Sequence, residues 1–180
     1  MVNALFSLSL LASCGGSAAP EAAASAALNF NVASTPFLDQ VEKLKKASAT
    51  SAMPTSGTGN YVGYLGLSRS SNFSEPDAVG VASLTANFST SSVSGAASGF
   101  ITADGSYRSD SITFFNGLIV GNQVAADIFG TNPLAAPGSS VSGSFQGEFL
   151  GPQASAVAGT IVGTSGSGSV YGRLAGESQR

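Results

Sequence analysis

The chain has 180 residues with 7 Lys+Arg, 10 Asp+Glu, a formal net charge of −3, no His and a single Cys. Charged residues are only 9%, against ~25% in ordinary globular domains, so there is no cationic surface of the kind that binds phosphate backbones. The lack of His beside one Cys excludes zinc sites built from those ligands, and Ser-His-Asp or Cys-His catalysis with them.

The first fourteen residues hold a short apolar run, Ala4 to Ala12, followed by Ser13 and Cys14. The run is too short to span a bilayer as a helix, which takes about 20 residues, and has the length of a signal-peptide core. Leu11-Ala12-Ser13-Cys14 resembles the bacterial lipobox, in which the Cys is acylated and becomes the new N-terminus. The resemblance implies a signal peptide over 1–13 and a membrane-lipid anchor at Cys14. It departs from the usual pattern in having no Lys or Arg before the apolar run. Gly15 is not the Asp that marks inner-membrane retention, so the resemblance implies an outer-membrane, lipid-anchored address, at the cell surface or facing the periplasm.

Residues 14–34 are dominated by Ala, Ser and Gly, which reads as a flexible tether spanning roughly 25 Å root-mean-square. An Ala-rich helix over 22–28 is the alternative. Thr35 then suits an N-cap and Pro36 a first helical position. Phe37, Leu38, Val41 and Leu44 recur at helical spacing, with Lys45 and Lys46 in the last turn. A short amphipathic helix is expected over 35–48, packed on a barrel wall or plugging one end.

From residue 57 the period changes to two. The first strand runs through Tyr61, Gly63, Leu65 and Leu67. Further strands are expected over 79–88, 93–102, 111–120, 123–129, 141–149, 157–163 and 169–175. Asp104-Gly105 supplies a hairpin turn, and Gly151-Pro152 ends the sixth strand. In 111–120 the alternation places Ile112, Phe114, Asn116, Leu118 and Val120 on one face. In 141–149 it places Val141, Phe145 and Phe149 on one face and Ser142, Ser144, Gln146 and Glu148 on the other. Gly alternating with large apolar residues suits the taper of a narrow barrel. The expected fold is all-β, a single eight-stranded antiparallel barrel over 53–180. Eight strands enclose a space just wide enough to be filled by side chains or to hold one small ligand. A transmembrane barrel is the rival, but it needs lipid-facing apolar residues on nearly every strand and aromatic girdles, and the Ser-rich faces supply neither.

Two stretches carry a family resemblance. Met53-Pro54-Thr55-Ser56-Gly57-Thr58-Gly59-Asn60-Tyr61-Val62-Gly63 resembles the approach to the first strand in transferrin-binding-protein-B-like β-barrels. Gly147-Glu148-Phe149-Leu150-Gly151-Pro152-Gln153-Ala154-Ser155-Ala156-Val157-Ala158-Gly159 resembles that family's Gly-x-Phe-x-Gly-Pro-x-Ala-x-x-Val-x-Gly motif, and Val170-Tyr171-Gly172-Arg173 its closing strand. The resemblance covers roughly 53–175. It implies an outer-membrane or surface lipoprotein that binds a nutrient carrier or other macromolecule and is not an enzyme. A protein ligand, or an outer-membrane transporter or translocator, is the implied partner. The short single barrel has no second lobe, which puts transferrin itself in doubt. A structural or accessory envelope lipoprotein with no soluble ligand is the alternative.

Loops carry binding more often than strands. Phe73, in the polar stretch Ser68–Asp77, and Tyr107-Arg108, beside the Asp104-Gly105 turn, are the candidate ligand-binding residues. Aromatic residues and Arg anchor interfaces. Phe73 folded back onto the barrel is the plainer alternative, and the 130–139 loop exposes Leu134 at best. The carboxylate pairs Asp104/Asp110 and Glu75/Asp77 read as solvated turn residues. No cofactor, metal or nucleic acid is expected.

Overall fold

The computed structural model describes residues 19–73 and 75–179, with side chains from residue 29 onward. Cys14 and the expected signal peptide lie outside the described residues.

One helix, α1 (Ala19–Lys45), precedes eight strands: β1 (Thr58–Ser68), β2 (Ala78–Asn87), β3 (Ser92–Thr102), β4 (Tyr107–Val120), β5 (Gln123–Thr131), β6 (Ser140–Leu150), β7 (Ala156–Ser165) and β8 (Gly168–Ser178). They form a closed barrel in sequence order, every neighbouring pair antiparallel, with β1 also pairing β8 from Tyr61↔Ser178 to Ser68↔Tyr171. Closure leaves no free sheet edge.

The inner faces make one contiguous core. Phe114 meets Phe145 edge to face at 5.4 Å, and Phe149 sits 5.5 Å from Tyr61 and 5.8 Å from Phe88. Phe100, Phe145, Leu65 and Ile112 are wholly buried, so side chains fill the barrel from end to end. The outward residues Ser142, Ser144, Gln146 and Glu148 are exposed. On β6 this apolar-in, polar-out alternation is the reverse of a transmembrane barrel's.

The motif glycines are architectural. Gly143 pairs Gly163 and Gly147 pairs Gly159 across β6 and β7. A Cβ on Gly159 would lie 2.4 Å from the Gln146 carbonyl oxygen and 2.5 Å from the Phe145 ring. The backbones therefore approach more closely than any side chain allows, and the Phe145 ring occupies the space left inside.

The helix differs from the sequence expectation at its start. Within the described residues the segment expected as tether is helical from Ala19 onward, and Thr35 and Pro36 sit inside the helix rather than at its start. Alanine is the best helix former, and the run of Ala outweighs the local cap signal. Pro36 removes one intrahelical donor. Thr35 Oγ1 donates one turn back, to the Asn31 carbonyl, at 2.7 Å.

The helix packs outside the barrel, through two clusters separate from the main core. Phe37 joins Phe73 and Val79, with Phe30, Val41 and Tyr64 against them. Leu44 joins Leu150, Ala156 and Ala175. The Phe37 ring lies over Gly66, where a Cβ would be 2.4 Å from it. The expectation of a helix against the wall holds.

Candidate functional site

Both ends of the barrel are closed. At one end, the loop 132–139 between β5 and β6 folds inward, and Leu134 is buried in the main core rather than exposed. Asn132 Oδ1 accepts the Leu134 N–H at 3.0 Å, and its Nδ2 donates to Ser165 Oγ at 3.1 Å. Two arginines clamp the loop: Arg69 Nη2 donates to the Leu134 carbonyl, and Arg108 Nη1 to the Ala135 carbonyl at 3.1 Å. At the other end, the turn after Gly151 carries positive φ at Gly151, Gln153 and Ala154. Ala154 is buried there, its carbonyl accepting the Tyr61 hydroxyl at 2.7 Å. The Gly-Pro-x-Ala motif thus caps the barrel, and among the described residues the two recesses lie on its outside.

The candidate residues part company. Phe73 is 9% exposed and lies edge-on to Phe37 at 6.2 Å, with the Arg173 guanidinium 5.1 Å over its ring. It is not an exposed anchor; burial against α1 is worth more to a Phe than exposure in a loop. Tyr107 and Arg108 do come together, in a recess of about 440 Å³ completed by Ser109, Asp110, Thr131 and Pro137. Tyr107 is 68% exposed. Arg108 is committed to structure: Nε donates to Asp110 Oδ2 at 2.8 Å and Nη1 holds the loop. Its Nη2 is buried without a partner among the described residues.

The carboxylates read as turn residues do structural work. Asp77 accepts the Ser68 hydroxyl at 3.1 Å and the Arg69 N–H at 2.8 Å. The Thr102 hydroxyl and the Ser106 backbone N–H hold the Asp104 carboxyl below its usual range. Glu42 is likewise lowered, first by the hydrogen bond from Lys45. Among the described residues no group of His, Cys, Asp and Glu could hold a metal ion.

A second, larger recess was not foreseen. A groove of about 960 Å³ runs along the outer wall between Val41 and Leu44 of α1 and the side chains of Leu118 and Val120 on β4, with Ala125 and Ala158 in its floor. Its far rim exists because β4 slips register against β5 between Phe115 and Leu118. Asn116 has φ of 51° at that slip, and a Cβ on Gly117 would lie 2.2 Å from the Val93 carbonyl oxygen. The bulge reverses the inside-outside alternation. Leu118 and Val120, expected on the face of Ile112 and Phe114, therefore point outward and are exposed. The Asn116-Gly117 pair inside a strand run is the signal that marks such a bulge.

The barrel coincides with a family match: the C-lobe and N-lobe beta barrels of Tf-binding protein B match residues 53–178. The chain belongs to this family. Among solved structures, a transferrin binding protein B variant from Haemophilus parasuis Hp5 superimposes with a TM-score of 0.51 at 18% identity, over 74% of this chain and 28% of that one. A transferrin binding protein B variant from Actinobacillus pleuropneumoniae H49 gives 0.50 at 12% identity, over 73% and 66%. This chain thus spans little more than a quarter of the first relative's length. No curated protein matches it. The Tf-binding-protein-B barrel match begins at Met53 and leaves α1 outside, so the groove pairs a family wall with a helix from beyond the matched region.

Proposed function

We propose that the protein is an outer-membrane or cell-surface lipoprotein, held by an acylated Cys14, whose barrel is a non-catalytic binding module for a nutrient carrier or another macromolecule. The observation that carries this is the family match across the whole barrel, joined to an interior that is full. The packed core and the closed ends favour recognition by the outer walls and end loops. Two similar structures are of transferrin binding protein B. Transferrin is therefore the first carrier to try. Acyl chains add ~0.8 kcal/mol per buried CH₂, and two or more anchor stably.

Protease treatment of intact cells tests the reading. The barrel is expected to be digested from outside, and Cys14→Ser to move the protein from the membrane to the soluble fraction. Survival of the barrel until the envelope is opened overturns the surface receptor in favour of an accessory envelope lipoprotein. Unchanged membrane fractionation of Cys14→Ser overturns the anchor.

A further inference from the structure

We propose that the outer wall of β4–β6, with the groove it shares with α1, is the protein-docking face of this barrel, and that it takes an amphipathic segment whose apolar side is flanked by Lys or Arg. The inference rests on the binding-module reading and names its surface.

On the outer wall Val62, Val81 and Val162 are exposed singly on β1, β2 and β7, while four large apolar side chains lie together on β4 and β5. Phe115 is 39% exposed, Leu118 62%, Val120 74% and Phe129 56%. Phe115 stands opposite Asp127, Thr113 opposite Phe129 and Leu118 opposite Ala125, so Phe115 and Phe129 are diagonal neighbours on one face. The strip runs from these two rings through Leu118 and Val120 to the groove beside Val41 and Leu44. It is there because of the bulge: without the slip at Asn116, the strand's alternation would carry Leu118 and Val120 to the inside. A non-glycine residue held at positive φ costs stability, and bulges that re-aim side chains concentrate near functional surfaces. Apolar strips on an outer wall, rimmed by polar residues, mark interaction sites.

Charge says what fits. Beyond Arg108, which is tied to Asp110, β4–β6 carry no Lys or Arg. They do carry Asp127 and Glu148 on the same exposed wall. Among the described residues Asp127 accepts from the Asn116 Nδ2 alone, at 3.0 Å, and Glu148 has no polar partner. Across the groove Lys45 pairs with Glu42, and the Arg173 guanidinium lies over the Phe73 ring. On β4–β6 themselves the charges without a cationic partner among the described residues are Asp127 and Glu148, which selects a cationic rim on the side of the partner that lies along these strands. An amphipathic segment laid along a groove with its apolar side down is a common mode of recognition.

The test uses the full chain, immobilised, and synthetic amphipathic peptides that share one Leu/Phe face and differ only in their flanks: Lys/Arg, Gln or Glu. The Lys/Arg peptide is expected to bind tightest, and more weakly as salt rises. Leu118→Ser with Val120→Ser is expected to cost about tenfold or more in affinity, as exposed interface anchors do. Asp127→Asn with Glu148→Gln is expected to abolish the preference between flanks while leaving the Gln peptide unchanged. All four side chains are exposed, so the fold is retained, checked by an unchanged melting transition. Equal binding of the three peptides, or binding that the Leu118 and Val120 changes leave untouched, overturns the proposal. Neither result depends on where the protein sits in the cell, so failure here is distinct from failure of the shaving experiment.

Discussion

A methyl group added at Gly147 would sit 2.4 Å from the Ala158 carbonyl oxygen and 2.8 Å from the Phe145 ring. Neither neighbour can withdraw, because one is backbone of β7 and the other is wholly buried. Gly147→Ala and Gly159→Ala are therefore expected to lose about 1–3 kcal/mol each, the usual cost of overpacking. Gly166→Ala is the control, with nothing within 4 Å of its Cβ. It is expected to leave the denaturation midpoint unmoved. Equal midpoints for all three would show that the paired strands spread freely. At this scale the sequence was readable where residue type alone decides, as in the Gly-x-Phe alternation of β6. It was not readable at Leu118 and Val120, because a one-residue slip at Asn116 inverts a strand's faces without changing its composition. Leu134 was missed for a similar reason. Its burial depends on Arg69 and Arg108 reaching across from other strands to hold its loop, and no local pattern contains that.

The helix is the element least tied to the rest. Its apolar contacts form satellite clusters around Phe37 and Leu44, outside the contiguous barrel core. Truncating a fully buried Phe costs about 3–5 kcal/mol where the whole molecule feels the loss. Here the loss is expected to stay local. Phe37→Ala should speed amide exchange over residues 30–45 by releasing α1 as a unit, while the strands keep their protection, as expected of cooperative subunits of differing stability. Equal loss of protection across β1–β8 would show that the helix is part of the barrel's own cooperative unit. The same looseness explains why the strands were legible and the helix start was not. A strand in a closed barrel has its alternation enforced by two neighbours. That the helix runs through Thr35-Pro36 reflects alanine propensity set against a competing cap, and two local preferences of similar size cannot be ranked by pattern alone.

At the scale of the molecule, stability turns on closure. β8 completes two ladders at once, pairing β7 from Ala156↔Glu177 to Ser165↔Gly168 and β1 from Tyr61↔Ser178 to Ser68↔Tyr171. The β1–β8 pairing is also the longest-range strand pairing of the barrel, and loop-closure entropy opposes such contacts until late in folding. A chain ending at Ser167 would lose Val170 and Leu174 from the core and leave β1 and β7 as bare edges. Exposed flat edges beside an opened apolar core are templates for aggregation. The shortened chain is expected to show no cooperative melt and to elute from size exclusion as large species. The full chain should melt in one transition. A monomeric truncated chain that kept a cooperative melt would mean that β1 and β7 can pair directly, giving a seven-stranded barrel. That outcome is opposed by the fit of the interior: β8 fills the gap between Leu65 and Ile161 with Gly172 and Leu174, and Gly172 has room for no more, since a Cβ there would already lie 2.9 Å from Leu67. A narrower barrel would have to expel wholly buried rings such as Phe145 and Phe114, at several kcal/mol each, so opening rather than contraction is the cheaper response to the loss of the last strand.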